Sequence, residues 1–140
     1  MTNIVQEFMA PQWPQFPDGI PPEGAHSPDG DYFRITNKQT PSAKCCASDY
    51  NKDPDILSER TGLQFVCSYG ISIQNTIEGA RETVGKFRNA TRTRFIAKGY
   101  LTAEVGLVKQ TFKEEYHHTL WTYDGVKTHK YFHFQEAVKL

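Results

Sequence analysis

Hydrophobic and polar residues alternate along several short stretches of the chain, and this pattern predicts strands. In residues 31–36, DYFRIT, Phe33 and Ile35 alternate with more polar residues after the turn signal at 28–30. An apolar run over 63–73 predicts a second strand, in which Gly70 permits a bend. Four later strands are predicted at about 93–101, 106–112, 118–123 and 130–138. Short connections such as Asp124-Gly125 favour antiparallel pairing.

One stretch has helical periodicity. In NTIEGARETVGKF, apolar residues recur at Ile77, Ala80, Val84 and Phe87, and Asn75 is a suitable N-cap. These features predict the main helix at about residues 75–88. Two glycines within it lower its intrinsic stability by up to about 1 kcal/mol each, so packing of the apolar stripe must hold the helix.

The first 30 residues have a different composition from the rest. They contain six of the eight prolines, which exclude a long helix or a central strand. Because Phe8, Trp13, Phe16 and Ile20 lie among these prolines, we expect residues 1–30 to form an arm packed on the domain. Residues 31–140 are predicted to form one α+β domain with a small mixed or antiparallel sheet, and 140 residues suit a single core.

Residues 37–62 form a long polar excursion between predicted elements. Pro41 and Pro54 interrupt it, and DPDILSER can supply a short helical turn. An excursion of this length within a compact domain is usually functional or contains its own short helix.

The overall charge is balanced, because Lys plus Arg and Asp plus Glu both number 16. No global field attracts nucleic acid or an anionic membrane, and low charge repulsion favours self-association. The three cysteines are odd in number, and two of them are adjacent, which favours a reducing compartment. Since no apolar run approaches the roughly 20 residues of a membrane span, we expect a cytoplasmic protein.

Strong catalytic or metal motifs are not found in the sequence. There is no C-x2-C pair, H-E-x-x-H or Gly-rich phosphate loop, so we expect no metal. A zinc site of His117, His129 and His133 is the weaker alternative. A cysteine nucleophile at Cys45 or Cys46 is another.

A scattered set of polar residues offers a further candidate site. Arg34 on the first strand can bind a phosphate, and Ser72 precedes the main helix. Glu114 and Glu115 lie just before His117 and His118. The structural alternative is a solvent-facing arginine, a turn serine and a charged loop.

Most of the chain resembles a group of small bacterial proteins of unassigned function. The resemblance comprises the Pro-rich lead, the Tyr-Phe-Arg strand, the Gly-x-Ser turn in CSYGISIQNTIEGA and the late His-His-Thr-x-Trp segment. No activity is established for that group, so the resemblance bears on the fold and not on the chemistry.

More distantly, the order of Arg, Ser and Glu is similar to the ADP-ribosyltransferase-like proteins, which include NAD-consuming toxins. This resemblance implies that Arg34 contacts NAD phosphate, Ser72 braces the ribose site and Glu115 engages the ribose hydroxyl. A fixed carboxylate there stabilises the charge that develops on the sugar. His117 or His118 can replace the acid by hydrogen bonding, and Trp121 can contribute by ring stacking.

Two functions of different classes follow. The first is an NAD-binding, ADP-ribosyltransferase-like protein that transfers ADP-ribose or hydrolyses NAD, with NAD as the substrate. The second is a non-catalytic interaction, immunity or accessory protein whose aromatic arm and Trp121 segment bind a protein partner. Whether the chain is an enzyme stays open from the sequence.

Overall fold

A computed structural model of the chain describes residues 11–87 and 93–138. Within these ranges the chain forms an α+β fold with six strands and three α-helices. The α+β class is as predicted from the sequence, whereas only the main helix was expected. The strands are β1 (Gly30–Thr36), β2 (Ile71–Gln74), β3 (Arg94–Leu101), β4 (Gly106–Gln110), β5 (His117–Thr122) and β6 (Phe132–Val138). The helices are α1 (Asp49–Lys52), α2 (Gly62–Cys67) and α3 (Ile77–Gly85).

The strands form one antiparallel sheet in the order β4-β5-β2-β1-β3-β6. β1 pairs with β3 along its whole length, and β2 likewise pairs with β5. Between β1 and β2 the described pairing consists of Phe33 opposite Gln74 alone. The same register would place Ile35 opposite Ser72, but the strands separate there. The sheet is therefore split into two three-stranded halves joined at one position.

The two faces of the sheet are covered by different elements. On one face, α3 packs its Ala80 and Val84 against Phe33 and Ile96. The neighbouring part of that face is covered by α2 and residues 13–25 around Trp121. The opposite face carries the largest apolar cluster, which includes Tyr32, Cys46, Ile71, Ile73, Ala97, Leu101, Val105, Val108, Leu120 and Phe132.

The main helix lies where the periodicity predicts it, although it is shorter. Helix α3 ends at Gly85, and residue 88 of the predicted range lies outside the described residues. Its N-cap is Thr76 instead of Asn75, and the Thr76 Oγ1 accepts a hydrogen bond from the Gly79 N–H at 2.9 Å. Either residue type can cap a helix, so composition alone does not distinguish them.

The predicted strand over 63–73 is wrong in its first half. Residues Gly62–Cys67 form helix α2, and the strand begins only at Ile71. Phe65 and Val66 of α2 pack on the cluster around Trp121, so these apolar residues serve a helix that covers the sheet. A short apolar run does not discriminate a buried strand from such a helix.

The described part of the Pro-rich arm lies against the domain. Trp13, Phe16 and Ile20 belong to the same apolar cluster as Tyr69 and Trp121. The Trp13 ring lies 4.3 Å from that of Tyr123, measured between centroids, and the Asp124 N–H donates to the Gln12 carbonyl at 2.7 Å. Residues 1–10, including Phe8, lie outside the described residues.

The excursion over residues 37–62 contains 3-10 turns at Lys44–Cys46 and Pro54–Glu59 on either side of α1. Arg60 stabilises this excursion, because its Nη1 donates to Asp49 Oδ2 at 2.5 Å and to Ser68 Oγ at 2.7 Å. None of the helices within 11–87 and 93–138 combines the length and the apolar character that a bilayer crossing needs.

Two glycines of α3 provide a matched test of how closely this helix packs against its neighbours. A Cβ on Gly79 would lie 2.3 Å from Tyr116 Cγ, whereas a Cβ on Gly85 would meet nothing within 4 Å. We expect Gly79→Ala to destabilise the protein, because overpacking costs about 1–3 kcal/mol and the helix propensity of alanine offsets only about 1 kcal/mol. Gly85→Ala should stabilise it by up to about 1 kcal/mol. Urea unfolding measures the change in the free energy of unfolding for each variant. Equal changes in the two variants would contradict the close approach of Gly79 to Tyr116.

Candidate functional site

A cleft of about 560 Å³ opens where β1 and β2 separate. Its walls come from both half-sheets, from the excursion after β1 and from the end of α3. The residues that line it are Arg34, Ile35, Thr36, Asn37, Lys38, Ser42, Lys44, Cys45, Lys52, Ser72, Gln74, Thr83, Phe87, Arg94 and His117. A cleft of this size suits a small-molecule ligand.

The charge of this lining is of one sign. Among the described residues it contains two arginines and three lysines and no Asp or Glu. In the described part of the chain the ion pairs involve other residues, so none of these five cations is neutralised by a carboxylate contact. Like charges that converge on a concave surface raise the local concentration of anions. The protein is neutral overall, yet this cleft is strongly cationic.

Arg34 bridges the gap between the two halves of the sheet. Its Nη1 donates to the Ser72 carbonyl at 2.8 Å, across the gap between β1 and β2. Its Nε and Nη2 both donate to the Cys45 carbonyl, at 3.1 and 2.9 Å. Burial lowers the pKa of the guanidinium, but arginine remains charged in proteins. Arg34 therefore holds three chain segments together and retains its positive charge beside the cleft.

Two buried polar atoms of the lining have no hydrogen-bond partner among the described residues. They are Gln74 Oε1 and Arg94 Nε. Gln74 is only 2% exposed, and an unsatisfied acceptor at such a position costs about 1–3 kcal/mol. Arg94 lies over the Phe87 ring at 4.9 Å, and its Nη1 donates to Asn37 Oδ1. A bound ligand that offers a donor and an acceptor would satisfy both atoms.

His117 is oriented by a chain of side-chain hydrogen bonds. Its Nδ1 lies 3.0 Å from Thr111 Oγ1, which lies 2.8 Å from Thr119 Oγ1. Thr119 Oγ1 in turn donates to Cys67 Sγ at 3.4 Å. If each hydroxyl donates onward, the chain begins with an N–H on Nδ1. Nε2 is then the acceptor that a neutral His117 presents from the wall of the cleft.

The structure brings three of the sequence-predicted site residues together. Arg34, Ser72 and His117 all line the cleft, although Arg34 uses three of its donors within the protein. The Arg34 and Ser72 positions meet because β1 and β2 are neighbours in the sheet. Their arrangement at a split between half-sheets was not apparent from the sequence.

The other three predicted residues lie elsewhere. Glu115 is exposed in the turn between β4 and β5, and neighbouring Glu114 pairs with Lys86 at 3.3 Å. His118 points to the opposite face of β5 from His117, where its ring lies edge-on to Tyr32 at 6.0 Å. Thus a carboxylate and a second histidine are not part of the described cleft wall.

Trp121 lies in the core instead of the cleft. It is 0% exposed, and its Nε1 donates to the Val66 carbonyl at 3.1 Å. It cannot stack on a ligand without leaving the cluster that joins the arm to the sheet. Phe87 is a lining residue that does offer an aromatic ring to the cleft.

Several lining residues were not identified from the sequence as candidates. They are Lys38, Lys44, Lys52, Gln74, Phe87 and Arg94. The lysines lie in the long polar excursion, whose length was a signal of function, but nothing in their spacing marks a site. Gln74 and Arg94 are brought to the cleft by strand pairing, which no local pattern encodes.

The three histidines of the alternative zinc site do not converge. His117 lines the cleft at the sheet split, whereas His129 and His133 line a separate depression beside β6. Across the described ranges, the structure contains no group of three His, Cys, Asp or Glu side chains arranged to hold a metal ion.

Comparisons of the chain with protein-family models, with curated proteins and with solved structures find no match.

His117 gives a test of the cleft environment. Burial lowers the pKa of its imidazole and His118 lowers it further, whereas a hydrogen bond with Thr111 raises it; the net shift is downward. The unfolded chain, with a histidine pKa of about 6.5, thus binds the proton more readily. Stability from neutral His117 is present above that pH and is lost as the pH falls toward the folded pKa.

We expect an NMR titration to give a His117 pKa below about 6.5, with His117→Gln assigning the resonance. The variant should also lose less stability than the wild type on acidification through this range. A ring that titrates at or above the ordinary value would contradict the buried, neutral histidine.

Proposed function

We propose that this chain binds NAD, or a dinucleotide of the same diphosphate chemistry, in the cleft between the half-sheets. The observation that carries the proposal is that five cations, one of them Arg34, line the cleft together with Ser72, while the described lining residues include no carboxylate. In this proposal the protein is ADP-ribosyltransferase-like, since an arginine of the first strand and a serine of the next sheet neighbour meet at one site.

The ligand chemistry follows from the lining. A diphosphate is an anion with several acceptor oxygens, and Lys38, Lys44 and Lys52 supply donors of the matching charge. The hydroxyls of Thr36, Ser42, Ser72 and Thr83 match the ribose groups as hydrogen-bond partners. The carboxamide of nicotinamide is both a donor and an acceptor, which complements the unpartnered Gln74 Oε1 and Arg94 Nε.

The proposed chemistry is cleavage of the bond between nicotinamide and ribose, leading to transfer of ADP-ribose or hydrolysis. Departure of neutral nicotinamide leaves positive charge on the sugar, which a fixed acceptor stabilises. Glu115 is outside the cleft, so we assign that role to the neutral His117, whose Nε2 can accept a hydrogen bond from a ribose hydroxyl. A lone pair stabilises the charge less than a carboxylate does, so we expect slow turnover.

The non-catalytic interaction function has less support from the described residues. It needs the aromatic arm and the Trp121 segment as a binding surface, but Trp121 is fully buried and the partly buried Trp13 and Phe16 pack against the same cluster. Deleting the arm would therefore uncover the core, and a loss of partner binding in such a deletion would not identify a binding surface.

Titration calorimetry with NAD tests the binding step. We expect Lys44→Gln and Lys52→Gln each to weaken NAD binding by about 5-fold at low ionic strength, because one charge contact in water contributes about 1 kcal/mol. Added salt should reduce the difference. The matched control is Lys98→Gln, whose lysine is exposed on β3 and pairs with Asp31 outside the cleft. Equal affinities for all three variants would refute binding at this site.

Nicotinamide release from NAD tests the chemical step. Arg34→Lys should abolish release, because lysine cannot reproduce the three carbonyl contacts together with a charge at the cleft. His117→Ala should lower the turnover number with little change in NAD affinity, whereas Glu115→Ala should change neither. If NAD binds and the wild type releases no nicotinamide, the protein is a binding module and the catalytic part of the proposal fails.

A further inference from the structure

Cys45 differs from the other two cysteines in its surroundings. Its side chain lines the cationic cleft and is half-buried, whereas Cys46 is 8% exposed in the core. Cys67 is also half-buried, but it is not among the described residues that line the cleft, and Thr119 Oγ1 donates to its sulfur. All three are free thiols. The chain thus carries one cysteine in the lining of the cleft, and two cysteines outside the lining that serve as controls.

The position of the Cys45 sulfur is fixed by the surrounding loop. Its carbonyl accepts two hydrogen bonds from Arg34, and its N–H donates to the Ser42 carbonyl at 3.0 Å. Ser42 Oγ lies 3.3 Å from the sulfur. These contacts anchor the 3-10 turn Lys44–Cys46 and thereby fix the orientation of the Cys45 thiol.

The same surroundings favour the thiolate. Burial raises the pKa of the Cys45 thiol, but hydrogen bonds from Ser42 and Asn37 and the charge of Lys38 lower it by more, so the net shift is downward. Burial is the dominant influence on Cys46 and Cys67, and the pKa of each is raised. The thiolate is the reactive form in exchange with disulfides.

The cleft selects the kind of reagent that can reach this sulfur. Lys38, Lys44 and Lys52 share the cleft with Cys45, and the lining residues that the structure describes include no carboxylate. Glutathione carries more carboxylates than ammonium groups, so it is a net anion. Its peptide N–H groups also suit the unpartnered Oε1 of Gln74, which is 2% exposed on the wall of the same cleft. The volume of about 560 Å³ accommodates a ligand of tripeptide size.

We propose that Cys45 is a site of reversible mixed-disulfide formation with anionic peptide disulfides of the glutathione class, and that this modification fills the cationic cleft. The proposal is independent of NAD, since it requires only the thiol and its cationic surroundings.

The reaction is thiol–disulfide exchange. The Cys45 thiolate attacks one sulfur of glutathione disulfide, a new bond forms from Sγ to that sulfur, and the disulfide bond of the reagent breaks. The second glutathione leaves as a thiolate with the electron pair of the broken bond. Cys45 is oxidised and the departing glutathione is reduced, so no further oxidant is needed. Excess reduced glutathione reverses the exchange.

The site is tested by incubating the reduced full-length protein with glutathione disulfide and measuring its mass. We expect one glutathione to add to the wild type, to Cys46→Ser and to Cys67→Ser, and none to add at a comparable rate to Cys45→Ser. Preferential modification of Cys46 or Cys67 would overturn the assignment, as would an unchanged rate in Cys45→Ser.

The role of charge is tested with two chromogenic disulfides, the anionic dithiobis(nitrobenzoate) and the neutral dithiodipyridine. Relative to free cysteine, the wild type should prefer the anionic reagent by at least about 5-fold at low salt, as one charge contact predicts. Lys38→Gln and Lys44→Gln should reduce this preference, and Lys98→Gln should retain it. Because each variant supplies its own ratio of rates, a general change in stability does not imitate the effect. A preference equal to that of free cysteine would overturn the proposal.

Discussion

The guanidinium of Arg34 is the contact on which the centre of this molecule depends. The described pairing of β1 and β2 is limited to Phe33 and Gln74, and beyond that point Arg34 supplies the connection by donating to the Ser72 carbonyl. Its two bonds to Cys45 draw the long excursion onto the same place. A gap in a sheet normally leaves backbone groups unsatisfied, which is costly when they are buried. Here one side chain offsets that cost and leaves an accessible cleft.

Much of the fold was predictable because local patterns determine it. Alternation located β3, β5 and β6 to within about two residues, and apolar spacing located α3. The wrong prediction of a strand at 63–67 has a physical origin. Phe65 and Val66 lie on a helix that packs against the sheet, and apolar side chains are expected at such positions in a helix as well as in a buried strand. The cap at Thr76 instead of Asn75 is a smaller difference, since both residue types are suitable N-caps.

The cleft was only partly predictable. Arg34, Ser72 and His117 were identifiable as polar residues on or beside predicted strands, and the fold does gather them. Gln74 and Arg94 were not, because their proximity arises from strand order and register. Trp121 shows the opposite difficulty, since an aromatic residue near histidines looks like a ligand platform while its complete burial is a property of the folded chain. Glu115 was expected at the site, but the turn before β5 directs it to solvent.

The separation of charge within a neutral chain has a consequence for how the molecule behaves in solution. Acidic and basic side chains are equal in number, yet five of the basic ones line one cleft, and within 11–87 and 93–138 none of the acidic ones does. The protein is therefore electrically polarised, with a positive region at the cleft, although its net charge is zero. Such a molecule turns its cationic side toward an approaching anion before any contact forms, and this orientation is lost when salt shortens the range of the field.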